Sequence, residues 1–213
     1  MWNRQRGEGL KGLRNLQEVW ISTDETEDVA GSIRNAILCF EQTKSDEQAW
    51  KWLALSLHSA LQGACVCHLV TTASPIGATT QKNTVEWLIY HEARRVNENA
   101  KAPHTRLMNL PDLLKAIREP NSAGDRSNSI GVQLDDSEFQ WLSRFHNEIR
   151  NQFTHFEPMG WSIEVSGFPK IAALVARIIE EIDRFGWAFR RQSTAWRQAL
   201  VTDLIKLSSL QLL

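Results

Sequence analysis

The chain has few cysteines, a single tyrosine and almost no net charge. Each shortage excludes something. Cys39, Cys65 and Cys67 are odd in number and too few for a disulfide framework, and they suit a reducing compartment. A formal net charge of -1 gives no global electrostatic pull toward nucleic acid or a membrane surface. No uncharged apolar run reaches the roughly 18 residues that a spanning helix needs. The opening MWNRQRGEGLKG lacks the apolar core of a signal peptide. The expected location is therefore the cytoplasm, with no membrane partner. There is no Gly-rich phosphate loop, no metalloprotease motif and no nucleophile elbow, and no repeat at a fixed period. Cys65-Val66-Cys67-His68 has no second ligand pair to complete it, and on a helix its cysteines point about 200° apart. Neither a metal nor a cofactor is expected. The nine tryptophans have no functional explanation in the sequence.

What is present is helical periodicity. Hydrophobic content of 42% and charged content of 23% fit an ordinary globular domain. We expect one domain over 26–213, preceded by a basic arm over 1–25 carrying Arg4, Arg6, Lys11 and Arg14. Val29, Ile33, Ile37 and Phe40 make the stripe of a first helix over 26–43, with Thr26 or Asp28 as its cap. Apolar residues cover most of the circumference over 46–70, which predicts a buried central helix. His58, alone on this apolar helix, reads first as a hydrogen-bonded core histidine. Further helices are expected over 84–97, 110–119 and 194–212, with another starting at Gly167-Phe168-Pro169. Residues 121–135 are polar and rich in Gly and Ser, which predicts an exposed loop without fixed structure. Arg184, Arg190, Arg191, Arg197 and Lys206 face only Asp203 in their segment. They form either a basic patch for a polyanion or a solvated helix face.

The stretch SEFQWLSRFHNEIRNQFTHFEPMGW, from Ser137 to Trp161, organises the rest. Leu142, Phe145, Ile149, Phe153 and Phe156 recur at steps of three and four, which is an apolar helical stripe. Asp135, Asp136 and Ser137 are candidate caps, and Pro158 ends the helix. At about 100° per residue, Arg144, Asn147, Glu148, Asn151 and His155 lie opposite that stripe. Arg150 sits at the border, roughly 140° from His155 on a regular helix. The two can meet through a long side chain, a distorted last turn, or across a dimer axis. Residues 161–165 alternate briefly and predict a short extended segment after this helix, not a sheet.

Arg150-Asn151-Gln152-Phe153-Thr154-His155 resembles the signature of the HEPN superfamily, an arginine followed by a polar residue and then a histidine at a spacing of four to six. His58-Ser59-Ala60-Leu61-Gln62 is also similar to the second-helix segment of several bacterial HEPN-like proteins. The resemblance implies an all-α, HEPN-like bundle of about six helices and a metal-independent endoribonuclease that leaves 2′,3′-cyclic phosphate ends. It implies Arg150, Asn151 and His155 as catalytic residues; Arg144, Asn147 and Glu148, on the polar face of the same helix, are the expected substrate-binding neighbours. RNA would be the substrate, and the chain would work as a homodimer. A toxin or defence effector, held by an antitoxin or regulatory protein, fits that class. One toxin branch carries a regulatory tyrosine two positions after the histidine. Glu157 stands there, so regulation of that kind is not implied. The alternative is a non-catalytic HEPN-type module that binds a partner protein; a third reading is a purely structural helical dimer.

The chemistry itself needs those residue types. Cleaving RNA without metal requires a proton taken from the 2′-hydroxyl, a proton given to the leaving 5′-oxygen, and a cation against the phosphorane. Histidine transfers protons near neutral pH. A helix C-terminus, where His155 is expected, favours positive charge. Arginine presents a planar fork of donors that matches phosphate oxygens. Asparagine both donates and accepts, so Asn151 can orient either partner.

Overall fold

Helix α2, Ala49–Leu69, is the element around which the others pack in the computed structural model, which describes residues 20–155 and 160–212. Of its 21 residues 14 are buried, so it is covered on nearly every side. It packs most extensively on α1, Glu25–Gln42, and also meets α4, Leu110–Ile117, the wide turn of α5, and α6, Phe168–Arg184. Helix α7, Thr194–Ser208, closes the bundle against α6 and α1. Helix α3, Gln81–Val96, lies between α2 and α4 in the chain. No strand forms among the described residues; the single bridge joins Thr79 and Leu107. The all-helical expectation holds. The basic arm falls largely outside the described residues, as do Phe156, Glu157 and Pro158.

Local chemistry explains the helix ends. Asp24, not Thr26 or Asp28, caps α1: its carboxylate accepts from the amides of Thr26 at 3.0 Å and Glu27 at 2.9 Å. Asn109 caps α4 and Ser193 caps α7. Pro169 occupies the first turn of α6, where no backbone donor is missed. Ile171, Leu174, Val175, Ile178, Ile179 and Ile182 of that helix are all buried.

Helix α5 covers 136–154 in three successive segments: Asp136–Arg144, the widened turn Phe145–Arg150, and Asn151–Thr154. It starts with a reciprocal capping box. The Asp135 carboxylate accepts from the Glu138 amide at 2.8 Å, and the Glu138 carboxylate accepts from the Asp135 amide at 3.1 Å. In the widened turn the Asn151 amide donates to the His146 carbonyl, five residues back instead of four. The extra residue rotates everything beyond it relative to a regular helical wheel. Leu142 and Phe145 are fully buried, whereas Ile149 and Phe153 are only half-buried against the core.

Residues 121–135 correct an expectation, because this segment has a fixed structure. The buried Asn128 side chain accepts from the Ala123 amide at 2.7 Å and donates to Ser122 and to the Ile130 carbonyl. Val132 and Leu134 insert into the core. A Cβ on Gly131 would sit 1.8 Å from the Arg118 carbonyl oxygen, so only glycine allows the strap to cross the end of α4 this closely. Polarity alone did not reveal an asparagine able to satisfy its own loop.

Candidate functional site

The Arg150 side chain leaves the widened turn of α5 and reaches a cleft of about 530 Å³. Asp28 of α1, His58, Ser59 and Gln62 of α2, and Leu107 ahead of α4 line the same cleft. Ser59 donates to the Asp28 carboxylate at 3.2 Å. Arg150 donates from Nη1 to Oδ1 of Asn151 at 3.0 Å, so two of the expected site residues touch directly.

Behind Arg150 lies a contact that the sequence did not announce. His58 Nε2 and His146 Nδ1 share a hydrogen bond of 2.7 Å, and the rings stack at 5.0 Å with 23° between their planes. Both residues are buried. Phe145, one position before His146, packs beside the His58 ring. Burial, the Arg150 charge and His146 push His58 down to about 3. Burial and the Arg150 charge also hold His146 below the ordinary histidine range. Two unionised imidazoles therefore stand beside one permanent cation. His58 is a buried histidine, as expected, but it lines the cleft and its partner is a second imidazole. His146 escaped notice because its partner is 88 residues away in sequence. The widened turn that delivers it has no signature in residue spacing.

His155 ends α5. Its amide donates to the Asn151 carbonyl at 2.8 Å, and its side chain is exposed. It does not line the Arg150 cleft, and no hydrogen bond joins it to Arg150. Arg144 and Glu148 pair with each other at 3.2 Å on the exposed surface, where such a pair stabilises little. They line a different cleft, with Trp141 and Trp161. Asn147 is exposed and lines neither. Of the six sequence-derived site residues, Arg150 and Asn151 are together. Arg144, Asn147, Glu148 and His155 are not part of this cleft within one chain.

The basic segment divides. Arg197 donates to the Asp183 carboxylate at 2.9 Å, and Lys206 pairs with Asp203. Arg190 lies over the Trp187 ring at 3.5 Å and lines, with Arg191, a cleft of about 340 Å³ on the other side of Asp24 and Glu25. Arg190 and Arg191 thus share their cleft with two carboxylates, and the second half of the segment is paired structure.

Among the described residues no three His, Cys, Asp or Glu side chains converge as metal ligands. Cys65 and Cys67 are buried thiols. Burial, with Glu25 and Asp24 nearby, pushes Cys67 up to about 12. No helix among the described residues is long and apolar enough to cross a membrane.

A third buried histidine sets a pH dependence. His68 meets Ser122 Oγ at 3.0 Å, while its Nδ1 is buried without a partner, and burial pushes it down to about 4. In the unfolded chain a histidine takes up a proton near pH ~6.5. The folded protein resists protonation until well below that. Stability is therefore present above pH ~6.5 and lost as pH falls, by at most ~1.4 kcal/mol per pH unit for each such histidine. Urea titrations at stepped pH should show this slope, and His68→Gln should make it shallower. An unchanged slope in the variant would place His68 in contact with water.

No family model matches the chain, and neither a curated protein nor a solved structure does.

Proposed function

We propose that the protein is a metal-independent endoribonuclease of HEPN type, with Arg150 stabilising the phosphorane and His155 giving a proton to the leaving 5′-oxygen. The observation that carries this reading is Arg150 itself: a guanidinium aimed into an open cleft, beside two histidines that stay neutral. Preorganised positive charge at the reacting phosphate is the largest single contribution such a site can make. Asn151 holds the guanidinium from one side. His155 lies outside the cleft of its own chain. A homodimer that faces two α5 helices across a two-fold axis would bring it to the Arg150 of the other copy. The biological setting we assign is a toxin or defence effector in the cytoplasm, with an antitoxin or regulatory protein as partner.

A second reading keeps the fold and drops the chemistry: a non-catalytic HEPN-type module that binds a partner protein. Helix α3 favours it. Only Asn83 of that helix is buried, and Val85, Leu88, Ile89 and Val96 expose their apolar side chains. Expression in a host cell separates the two. The ribonuclease reading expects wild type to arrest growth with fragmented RNA, and His155→Ala to be tolerated at equal protein levels. Equal growth with intact RNA would leave the module reading in front.

A further inference from the structure

We infer that His58 and His146 form a two-ring proton relay in which His58 takes the 2′-hydroxyl proton and His146 carries it on to water. The inference rests on the ribonuclease reading and assigns the base, which the arginine–histidine motif leaves open.

Geometry carries it. His58 is the imidazole that lines the Arg150 cleft. Its Nε2 is committed to His146 at 2.7 Å, which leaves Nδ1 as the nitrogen free to accept. His146 mirrors this, with Nδ1 committed and Nε2 free. Among the described residues neither free nitrogen makes a hydrogen bond, and neither is among the buried atoms left without a partner. Each therefore reaches water or a ligand. A hydrogen bond between two neutral imidazoles holds one proton, so the tautomers of the rings are coupled.

The step balances. His58 begins with its proton on Nε2, donated to His146 Nδ1, and His146 carries its own proton on Nε2. The 2′-oxygen attacks phosphorus, its O–H bond breaks, and the proton goes to His58 Nδ1. The His58 Nε2 proton crosses to His146 Nδ1, and the His146 Nε2 proton leaves to water. The P–O5′ bond breaks as the leaving oxygen gains its proton from His155. Both rings end neutral with their tautomers exchanged, and water resets them. Asp24, Glu25 and Asp28 face the cleft from α1, and Arg150 from α5. The nearby Arg150 charge and the burial of both rings disfavour a lasting imidazolium, so a proton passes through and does not stay. The widened turn is what sets His146 against His58, and such turns recur at functional sites.

The test measures kcat and KM across pH on a short RNA for the full chain, His58→Gln and His146→Gln. Glutamine at 146 can still accept from His58 but cannot pass a proton. The relay predicts that His146→Gln lowers kcat about tenfold or more at unchanged KM and shifts the acidic limb of the profile. His58→Gln should lose on the order of 10² to 10⁴, the usual contribution of a general base. Wild-type kcat and pH profile in His146→Gln would overturn the relay and leave the ribonuclease reading standing. An inert wild type would overturn both. A second measurement does not depend on the variants folding. Wild type labelled with ¹⁵N in histidine should show a coupling between the two nitrogens across the shared bond. Two rings with fixed tautomers and no such coupling would overturn the relay.

Discussion

Replacing Arg150 with alanine is expected to lower RNA cleavage by about 10² to 10³, the usual loss when one preorganised donor to a developing oxyanion is removed. Arg150→Lys should restore little, because an ammonium lacks the planar fork that meets two phosphate oxygens. The loss should fall on kcat more than on KM, since the charge it answers develops in the transition state. Arg150 is only half-buried, and its hydrogen bond to Asn151 is a local one. Unfolding free energy should therefore stay within about 1 kcal/mol of wild type. A variant that unfolds would make the guanidinium a structural element. A folded variant with full activity would remove Arg150 from the reaction.

The largest expected effect on stability belongs to Phe145→Ala. Phe145 is 1% exposed, packs edge-on against Phe168 of α6 at 6.3 Å and lies beside the His58 ring of α2. Three helices meet on this one ring, so the space cannot collapse when the ring is removed. The cost should be about 3–5 kcal/mol, a lost transfer contribution plus a cavity. That is a large share of the stability of a domain this size. Phe145 also opens the widened turn, so activity should fall even at temperatures where the variant remains folded. Denaturant titration gives the cost directly; a loss below about 1 kcal/mol would mean that α5 is not anchored here.

Where a helix obeys the regular period and buries one face, the sequence made it legible. The α6 stripe from Ile171 to Ile182 and the apolar circumference of α2 were both visible as spacing, because 3.6-residue periodicity is a local property. Arg150 and Asn151 came forward for a different reason, the resemblance of their stretch to the HEPN signature, and the structure brings their side chains into contact. The reading lost accuracy where one residue too many entered a turn. A wheel drawn at constant pitch placed Asn151 and His155 on one face and left Arg150 at the border. The bond from the Asn151 amide to the His146 carbonyl changes that phase within six residues. His58 and His146 illustrate a second limit, since their meeting depends on how α5 docks on α2. Helix α3 illustrates a third. Its spacing predicted a helix but not which side would be covered: Val85, Leu88, Ile89 and Val96 face outward, and Asn83 ties one end to the carbonyl of His104 and the amide of Arg106.

The central claim is that this chain cleaves RNA at the Arg150 cleft without a metal ion. The most direct measurement incubates the purified full-length protein with structured and unstructured RNA in excess EDTA and determines the ends of the products. The expected result is cleavage at an undiminished rate in wild type, with 2′,3′-cyclic phosphate and 5′-hydroxyl ends, and a rate lower by about 10² or more in Arg150→Ala, the loss typical for such a donor. Cleavage that EDTA abolishes and a divalent ion restores, or equal rates in wild type and Arg150→Ala, would contradict it.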